Sequence, residues 1–312
     1  MRNKTIFFYL LLSCIFLTTA YPDEEVGRIP KNLLKGIVKI QTPAGITGTG
    51  FLVSKQIPLK TDSVRVVFLV TNKHIIGDWN AADGNIQNYY NHLNVFFYSK
   101  TRTDQTLTKV ALKDSSGILR VDKIFIHPDP RKDVVIINVM EEIANNSLID
   151  LLIFDVSYLL KFNDIMNWFT GLGDQVFALG YPLGITSLKN NFPIAKSGYL
   201  ASLPGEEFAI DINVINRKKV NVKTRMEGKF LLIDGLIVGG NSGGPVVLPS
   251  ELAIRRNPKT NKVEFGSEMK KNYVIGIVSS ALGPSGLSVC LSSDYILEMI
   301  EKYFENIKMN LS

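Results

Sequence analysis

The sequence predicts an all-β fold, two antiparallel six-stranded β-barrels followed by one C-terminal helix. Three observations predict it. Apolar residues fall in short alternating or β-branched bursts separated by Gly, Pro, Asn and Asp. The bursts come in two sets of about six, parted by a longer segment of different rhythm. The last stretch then changes to helical spacing.

Composition narrows the class before any element is placed. The 312 residues are 46% hydrophobic and 21% charged, with Gly 24 and Pro 13. That profile excludes disordered, collagen-like and low-complexity chains. Two cysteines cannot staple a chain of this length, so a disulfide scaffold is excluded as well.

Residues 1–20 predict an export signal. Arg2 and Lys4 precede a nearly unbroken apolar run from Thr5 to Leu17, and Thr18-Thr19-Ala20 offers the small residues that a signal peptidase reads. The run is shorter than the roughly 20 residues of a membrane helix, and Asp23, Glu24 and Glu25 follow at once, so no stable membrane span is expected. The mature chain is then 21–312, periplasmic or secreted. An alternative is lipid anchoring, because Leu11-Leu12-Ser13-Cys14 loosely resembles a lipoprotein box with Cys14 acylated. Loss of the leader removes Arg2 and Lys4 and no acid, lowering the net charge from +6 by two to +4. The remaining basic residues are scattered pairs such as Arg255-Arg256 and Lys270-Lys271, which predict solvated loops and no nucleic-acid partner.

The first barrel is expected over about 31–145, with strands at 36–41, 49–53, 64–71, 93–98, 108–112, 119–126 and 134–139. A linker over about 146–172 carries Leu159-Leu160 and Ile165 and is expected to include some helix. The second barrel, about 173–292, has strands at 175–180, 194–200, 208–214, 220–224, 230–233, 245–248, 273–279 and 287–291. Ser292 and Ser293 then offer caps for a helix over about 293–308, with Ile296, Met299, Ile300, Tyr303 and Ile307 on one face. Residues 78–91 and 250–271 are expected as insertions.

The chemistry is written in Val238-Gly239-Gly240-Asn241-Ser242-Gly243-Gly244-Pro245. A serine flanked by glycines can sit on a turn that pushes its hydroxyl outward while N–H groups converge on one point, the geometry of an oxyanion hole. A flexible Gly/Ser turn is the plain alternative. A serine needs a base at neutral pH, and histidine has the right intrinsic pKa. Of three histidines, His74 ends a strong strand, whereas His92 and His127 fall in surface or loop positions. A carboxylate must fix the imidazole tautomer. Asp133 immediately precedes an apolar strand that would draw it inward, with a salt-bridged surface aspartate as the alternative.

These segments resemble the chymotrypsin-like (trypsin-fold) serine peptidases, most closely the bacterial HtrA/Deg-type branch. Gly48-Thr49-Gly50-Phe51 is similar to its Gly-Ser-Gly-Phe strand, Thr71-Asn72-Lys73-His74 to its Thr-Asn-x-His, and Asp129-Pro130-Arg131-Lys132-Asp133 to its Asp-Pro-x-x-Asp. Gly180-Tyr181-Pro182-Leu183-Gly184, Ser197-Gly198, the Gly-Asn-Ser-Gly-Gly box and Val274-Ile275-Gly276-Ile277 follow in the same order. The resemblance spans about 36–300. It implies Ser242 as nucleophile, His74 as general base and then acid, and Asp133 as the orienting carboxylate. It also implies an oxyanion hole at Gly240, Asn241 and Ser242, with the N–H groups of Gly240 and Ser242 as donors.

Departures matter too. Asn241 stands where digestive relatives carry an aspartate that pairs with a new N-terminus, so that activation is not expected. About twenty residues follow Leu291 and read as helix, so the resemblance does not extend to a PDZ domain, nor to the trimers and cages of that branch. The primary pocket is expected at Leu236, Ile237, Ser279, Ser280, Ala281 and Gly286. No acid stands at Leu236, which predicts a small or medium apolar side chain before the cleaved bond. No histidine or cysteine cluster has metal spacing and no phosphate loop appears, so no cofactor or metal is expected. Cys290 is expected as a small buried hydrophobe. The partner is a protein or peptide substrate. A trypsin-fold protein that has lost turnover and binds peptides is the alternative function.

Overall fold

The computed structural model describes residues 28–311 apart from 59–62, 81–82, 101–105, 151, 166–169, 188–190, 205, 216–220, 236, 257–259, 261 and 283–284. The expected export signal with Cys14, and Leu236, lie outside the described residues. No helix among those described is long and apolar enough to cross a membrane.

After a helical turn, α1 (Lys31–Leu34), the first half of the chain is strands: β1 (Ile37–Gln41), β2 (Thr47–Pro58) and β3 (Ser63–Thr71), then a second helical turn, α2 (Lys73–Ile76). A small hairpin follows, β4 (Gly77–Trp79) with β5 (Ile86–Tyr89), and then β6 (His92–Phe97), β7 (Thr106–Ala111), β8 (Ile124–Ile126) and β9 (Val135–Asn138). They assemble as β7-β6-β1-β2-β3-β9-β8, and the short β10 (Phe154–Asp155) adds parallel to β2. The end strands β7 and β8 do not pair with each other, so this lobe is a half-barrel among the described residues.

The second lobe is closed. Its strands are β11 (Gln175–Gly180), β12 (Ile194–Leu200), β13 (Glu207–Ile215), β14 (Asn221–Asp234), β15 (Pro245–Val247), β18 (Val274–Ala281) and β19 (Leu287–Ser292). The order β12-β11-β15-β18-β19-β14 returns on itself because β12 also pairs with β14, at Tyr199↔Asp234 and Leu200↔Ile233. Between β15 and β18 the expected insertion is a separate hairpin, β16 (Glu251–Arg256) with β17 (Val263–Lys270). The stretches 220–224 and 230–233, expected as two strands, form the single strand β14, whose first part pairs with β13 and whose last part pairs with β19.

The linker differs from expectation in kind. A short helix, α3 (Met140–Ala144), comes before it, and among its described residues the chain makes two short 3-10 turns at Val156–Tyr158 and Phe162–Asp164. The Asp155 side chain accepts from the Ser157 N–H at 3.0 Å, and the Leu160 N–H donates to Val274 O at 2.9 Å. Leu159, Leu160 and Phe162 are buried. Their apolar run therefore reflects a segment pressed between cores and not a helical stripe.

Alternation along the strands builds three cores. In β3, Val67 and Leu69 face the interior of the first lobe with Leu52, Val135 and Ile137. Val66, Phe68 and Val70 face the opposite way, into a core shared with Phe230, Val247, Ile277 and Leu291 of the second lobe. A third core, with Val176, Leu231, Val246, Val278 and Cys290, fills the closed barrel. The shared core explains why β3 is a nearly continuous apolar run: both of its faces are covered.

The last helix, α4 (Asp294–Leu311), lies on this shared core through Tyr295, Ile296, Met299, Ile300, Tyr303 and Phe304. The Ser293 carbonyl accepts from the Leu297 N–H at 3.0 Å, which makes Ser293 the cap position, and Ser292 Oγ accepts from the Asp294 N–H at 3.2 Å. Ser293 Oγ instead donates to the carbonyls of Leu160 and Ile275. Tyr303 meets Phe68 edge to face at 4.9 Å and accepts from Asn138 Nδ2 at 3.0 Å. The helix is thus a strap across both lobes. Truncation of the fully buried Ile300 to Ala is expected to cost about 2–5 kcal/mol, read as a lower denaturant midpoint at constant slope. Leu107→Ala, at a half-exposed site, is expected to change stability by less than about 0.5 kcal/mol.

Candidate active site

Four consecutive residues carry one side of the candidate site. Thr71 ends β3 and donates from Oγ1 to Thr49 O at 2.8 Å. Asn72 donates from Nδ2 to the backbone carbonyl of Asp133 at 2.6 Å. Lys73 donates from Nζ to the carbonyls of Asp129 at 2.8 Å and Pro130 at 3.3 Å. The His74 backbone N–H donates to Asp133 Oδ1 at 3.2 Å, and its ring Nδ1 meets Asp133 Oδ2 at 2.6 Å. A carboxylate can only accept, so the Nδ1 position carries the proton and Nε2 is left with its lone pair.

Asp133 is almost wholly buried, as the sequence predicts from its place before β9. Lys132, the preceding residue, crosses to the second lobe: its Nζ donates to Glu227 O and lies 5.0 Å from the ring centres of both Phe230 and Tyr295. Lys73 is fully buried as well, and desolvation pushes its ammonium down to about 8 against the opposing pull of Asp133 and Asp129. Sequence reasoning treated Lys73 as a spacer. Its position in a strand-to-helix turn gave no sign that it would fold back onto the loop before Asp133.

Burial is the largest influence on His74 and disfavours its charge, yet the Asp133 charge and hydrogen bond together outweigh it and hold the pKa above its ordinary 6.5. The Trp79 ring lies 6.3 Å from the imidazole, tilted by 38°. His127, expected at the surface or in a loop, is in a loop and buried there, edge to face with Tyr295 at 5.3 Å. Burial there lowers its pKa. His92 starts β6, half-buried.

The serine loop is built from the opposite side. Gly240 has φ +98 and Gly243 φ +86, and both lie in contact with backbone: a side chain at Gly240 would strike the Tyr181 carbonyl, and one at Gly243 the Thr49 carbonyl. The Thr49 N–H donates to Ser242 O at 2.8 Å, and Thr49 Oγ1 donates to Gly240 O at 2.6 Å. The Leu183 N–H donates to Gly239 O at 2.7 Å, and the Gly243 N–H to Val278 O at 3.0 Å. Among the described residues the N–H groups of Gly240 and Ser242 have no acceptor. Asn241, expected as part of the oxyanion-hole segment, lies between those two amides. Its N–H donates to Val238 O at 3.2 Å and its Nδ2 to the same carbonyl at 3.2 Å, so it shapes the turn.

Ser242 is tied to the His74–Asp133 pair through Ser279. The Ser242 hydroxyl donates to Ser279 O at 3.4 Å, and Ser279 Oγ donates to Asp133 Oδ2 at 3.4 Å. Among the described residues no hydrogen bond joins Ser242 to His74. Ser279 was expected as a pocket wall and is instead a buried link beside Asp133, because β18 carries its hydroxyl back toward the first lobe. Ile237 likewise packs in the closed-barrel core with Val278 and Cys290 rather than lining an open wall. Gly286, at φ +75, accepts at its carbonyl from the Gly235 N–H at 3.1 Å. Among the described residues Ser280 Oγ is buried with no hydrogen-bond partner, and Ala281 is exposed. Cys290 is buried, and burial raises its thiol pKa far above the ordinary range.

The family model for the Trypsin-like peptidase domain matches residues 48–252, an interval that contains His74, Asp133 and Ser242. The chain belongs to that family. Among solved structures it is similar to the Rv3671c protease from M. tuberculosis. The active form is 16% identical with TM-score 0.44, covering 91% of this chain and 92% of that one. The inactive form is 16% identical with TM-score 0.45, covering 87% and 90%. A serine endoprotease from Yersinia pestis is 15% identical with TM-score 0.42, covering 89% of this chain and 68% of that one. No curated protein matches.

In this trypsin-like peptidase domain the His74–Asp133 contact sets a pH response. NMR titration of the imidazole is expected to place its midpoint above 6.5, and Asp133→Asn to bring it below 6.5, since only burial then acts. Because the folded-state pKa is raised, the pair contributes stability in full below about pH 6.5 and loses it as pH rises through the folded midpoint. An unchanged midpoint in Asp133→Asn contradicts the pairing.

Proposed function

We propose that the protein is an exported serine endopeptidase that cleaves peptide bonds through an acyl-enzyme on Ser242. The observation that carries this is the convergence of an Asp133-oriented His74 with a serine whose neighbouring N–H groups, those of Gly240 and Ser242, have no acceptor within the described chain. Membership of the trypsin-like peptidase domain family supports the peptidase class.

In this mechanism Ser242 Oγ attacks the scissile carbonyl carbon while His74 Nε2 takes the hydroxyl proton. The carbonyl oxygen becomes an oxyanion and accepts from the Gly240 and Ser242 N–H groups, fixed donors that need no rearrangement as charge develops. His74 then gives its proton to the leaving amine. Water repeats the sequence in reverse, with His74 as base, and releases the acid product. Asp133 keeps the proton on Nδ1 throughout and stabilises the imidazolium. Engagement of His74 requires the Ser242 hydroxyl to leave Ser279 O.

A small or medium apolar side chain is proposed before the cleaved bond, with the exposed Ala281 beside it. Export follows from the charged and apolar leader in residues 1–20. The second reading, a peptide-binding protein without turnover, is favoured by one observation, the Ser242 hydroxyl resting on Ser279 O instead of His74. A fluorophosphonate probe separates the two. Covalent labelling and peptide hydrolysis are expected of the wild type, and Ser242→Ala is expected to lose labelling and to lower kcat by a factor on the order of 10⁴ or more. Retained hydrolysis in Ser242→Ala, or an inert wild type that binds peptide, overturns the assignment.

A further inference from the structure

One contact on the serine loop has no role in the mechanism above. Leu183 is a non-glycine residue at φ +53 and ψ +21, a left-handed conformation that a leucine rarely adopts, and its side chain is 75% exposed. Nothing in its own packing accounts for the strain, since that side chain points away from all three cores. The conformation must be held by the backbone around it.

The backbone supplies that hold. The Leu183 N–H donates to Gly239 O at 2.7 Å, the shortest backbone hydrogen bond made by the serine loop. The Gly239 carbonyl and the Gly240 N–H belong to one planar peptide unit and point in opposite directions. Fixing the carbonyl toward Leu183 therefore aims the Gly240 N–H the other way. Glycine on both sides gives this unit little intrinsic resistance to rotation, so an external acceptor or donor has to set it.

The turn that presents Leu183 is itself anchored. The Gly184 N–H donates to Tyr181 O at 2.9 Å and the Ile185 N–H to Pro182 O at 2.9 Å. Tyr181 is fully buried, its hydroxyl donating toward Ile37 O at 3.1 Å and Asn191 O at 2.8 Å. Its N–H donates to Thr49 Oγ1 at 3.1 Å, the same hydroxyl that donates to Gly240 O. The approach of Gly240 to the Tyr181 carbonyl and to the Leu183 nitrogen shows how closely the turn and the loop are seated.

We propose that Leu183 is a positioning residue: its N–H, presented by a strained left-handed turn, pins the Gly239–Gly240 peptide so that the Gly240 N–H faces the oxyanion. The inference rests on the endopeptidase assignment made above. It gives the strain a use, because a residue relaxing out of the left-handed region would withdraw the N–H from Gly239 O and free the peptide to turn over.

The test removes the Leu183 N–H and, besides that, only weakens the Pro182 carbonyl that accepts from the Ile185 N–H. Replacing Leu183 by its α-hydroxy analogue, leucic acid, turns the 182–183 amide into an ester and deletes the N–H while keeping the side chain. Turnover of a peptide substrate is expected to fall about 10²-fold in kcat with KM within twofold, and affinity for a peptide aldehyde, whose hemiacetal oxygen occupies the oxyanion position, is expected to fall in parallel. In Leu183→Gly, which keeps the N–H, kcat is expected to fall at least tenfold less than in the ester. Wild-type kcat and aldehyde affinity in the ester variant, a loss confined to KM, or an equal loss in the ester and glycine variants each overturn the proposal. Fluorophosphonate labelling of the wild type, measured first, reports on the endopeptidase assignment separately. A wild type that labels and cleaves, beside an unaffected ester variant, sinks the Leu183 role alone.

Discussion

The site depends on one residue, Thr49. It belongs to β2 of the first lobe, yet two of its groups hold the second lobe while its carbonyl ties to the end of β3. Its N–H donates to Ser242 O, its hydroxyl donates to Gly240 O and accepts from the Tyr181 N–H, and its carbonyl accepts from Thr71 Oγ1 beside His74. The candidate base comes from one lobe and the candidate nucleophile from the other, so their separation is only as fixed as this seam. Buried hydrogen bonds of this kind are modest in net stability, but leaving any one partner unmatched is costly, which makes the register of the two lobes sharply defined. The shared apolar core and α4 then hold the lobes at that register over a much larger area.

Strain and polarity at the site follow from the same arrangement. Two glycines on the serine loop occupy conformations closed to other residues because backbone from Tyr181 and Thr49 lies directly against them. Buried Lys73 is satisfied by the carbonyls of Asp129 and Pro130, and the buried Asp133 carboxylate by the backbone and ring of His74. Charges in such places are stabilising only when their partners are complete. Asn72, Lys73 and His74 bond in turn to the 129–133 segment, one bond or pair of bonds per residue.

Much of this was legible in the sequence, for physical reasons. The Gly-Asn-Ser-Gly-Gly run, the histidine at the end of an apolar strand and the aspartate at the start of another are local patterns, and local chemistry dictates where they go. The strands were legible by alternation, although β14 reads as two because residues between its halves are polar, and the linker reads as helical because its leucines are buried by tertiary contact rather than by spacing. Side-chain direction at the expected pocket residues was not legible. Ile237 packs into the closed-barrel core and Ser279 Oγ donates to Asp133 of the first lobe, directions set by tertiary packing that local sequence does not encode. Lys73 and Leu183 act through bonds to backbone atoms far away in sequence, a kind of contact that leaves no periodic trace.

The central claim is that Ser242, the His74–Asp133 pair and the Gly240 and Ser242 amides form one catalytic unit. A crystal structure of the protein reacted with a peptidyl phosphonate tests it most directly. The account predicts a covalent bond from Ser242 Oγ to phosphorus, with the phosphoryl oxygen accepting from both amides and His74 Nε2 turned toward the adduct. An oxygen placed outside that pair of amides, or an adduct on any other residue, would contradict it.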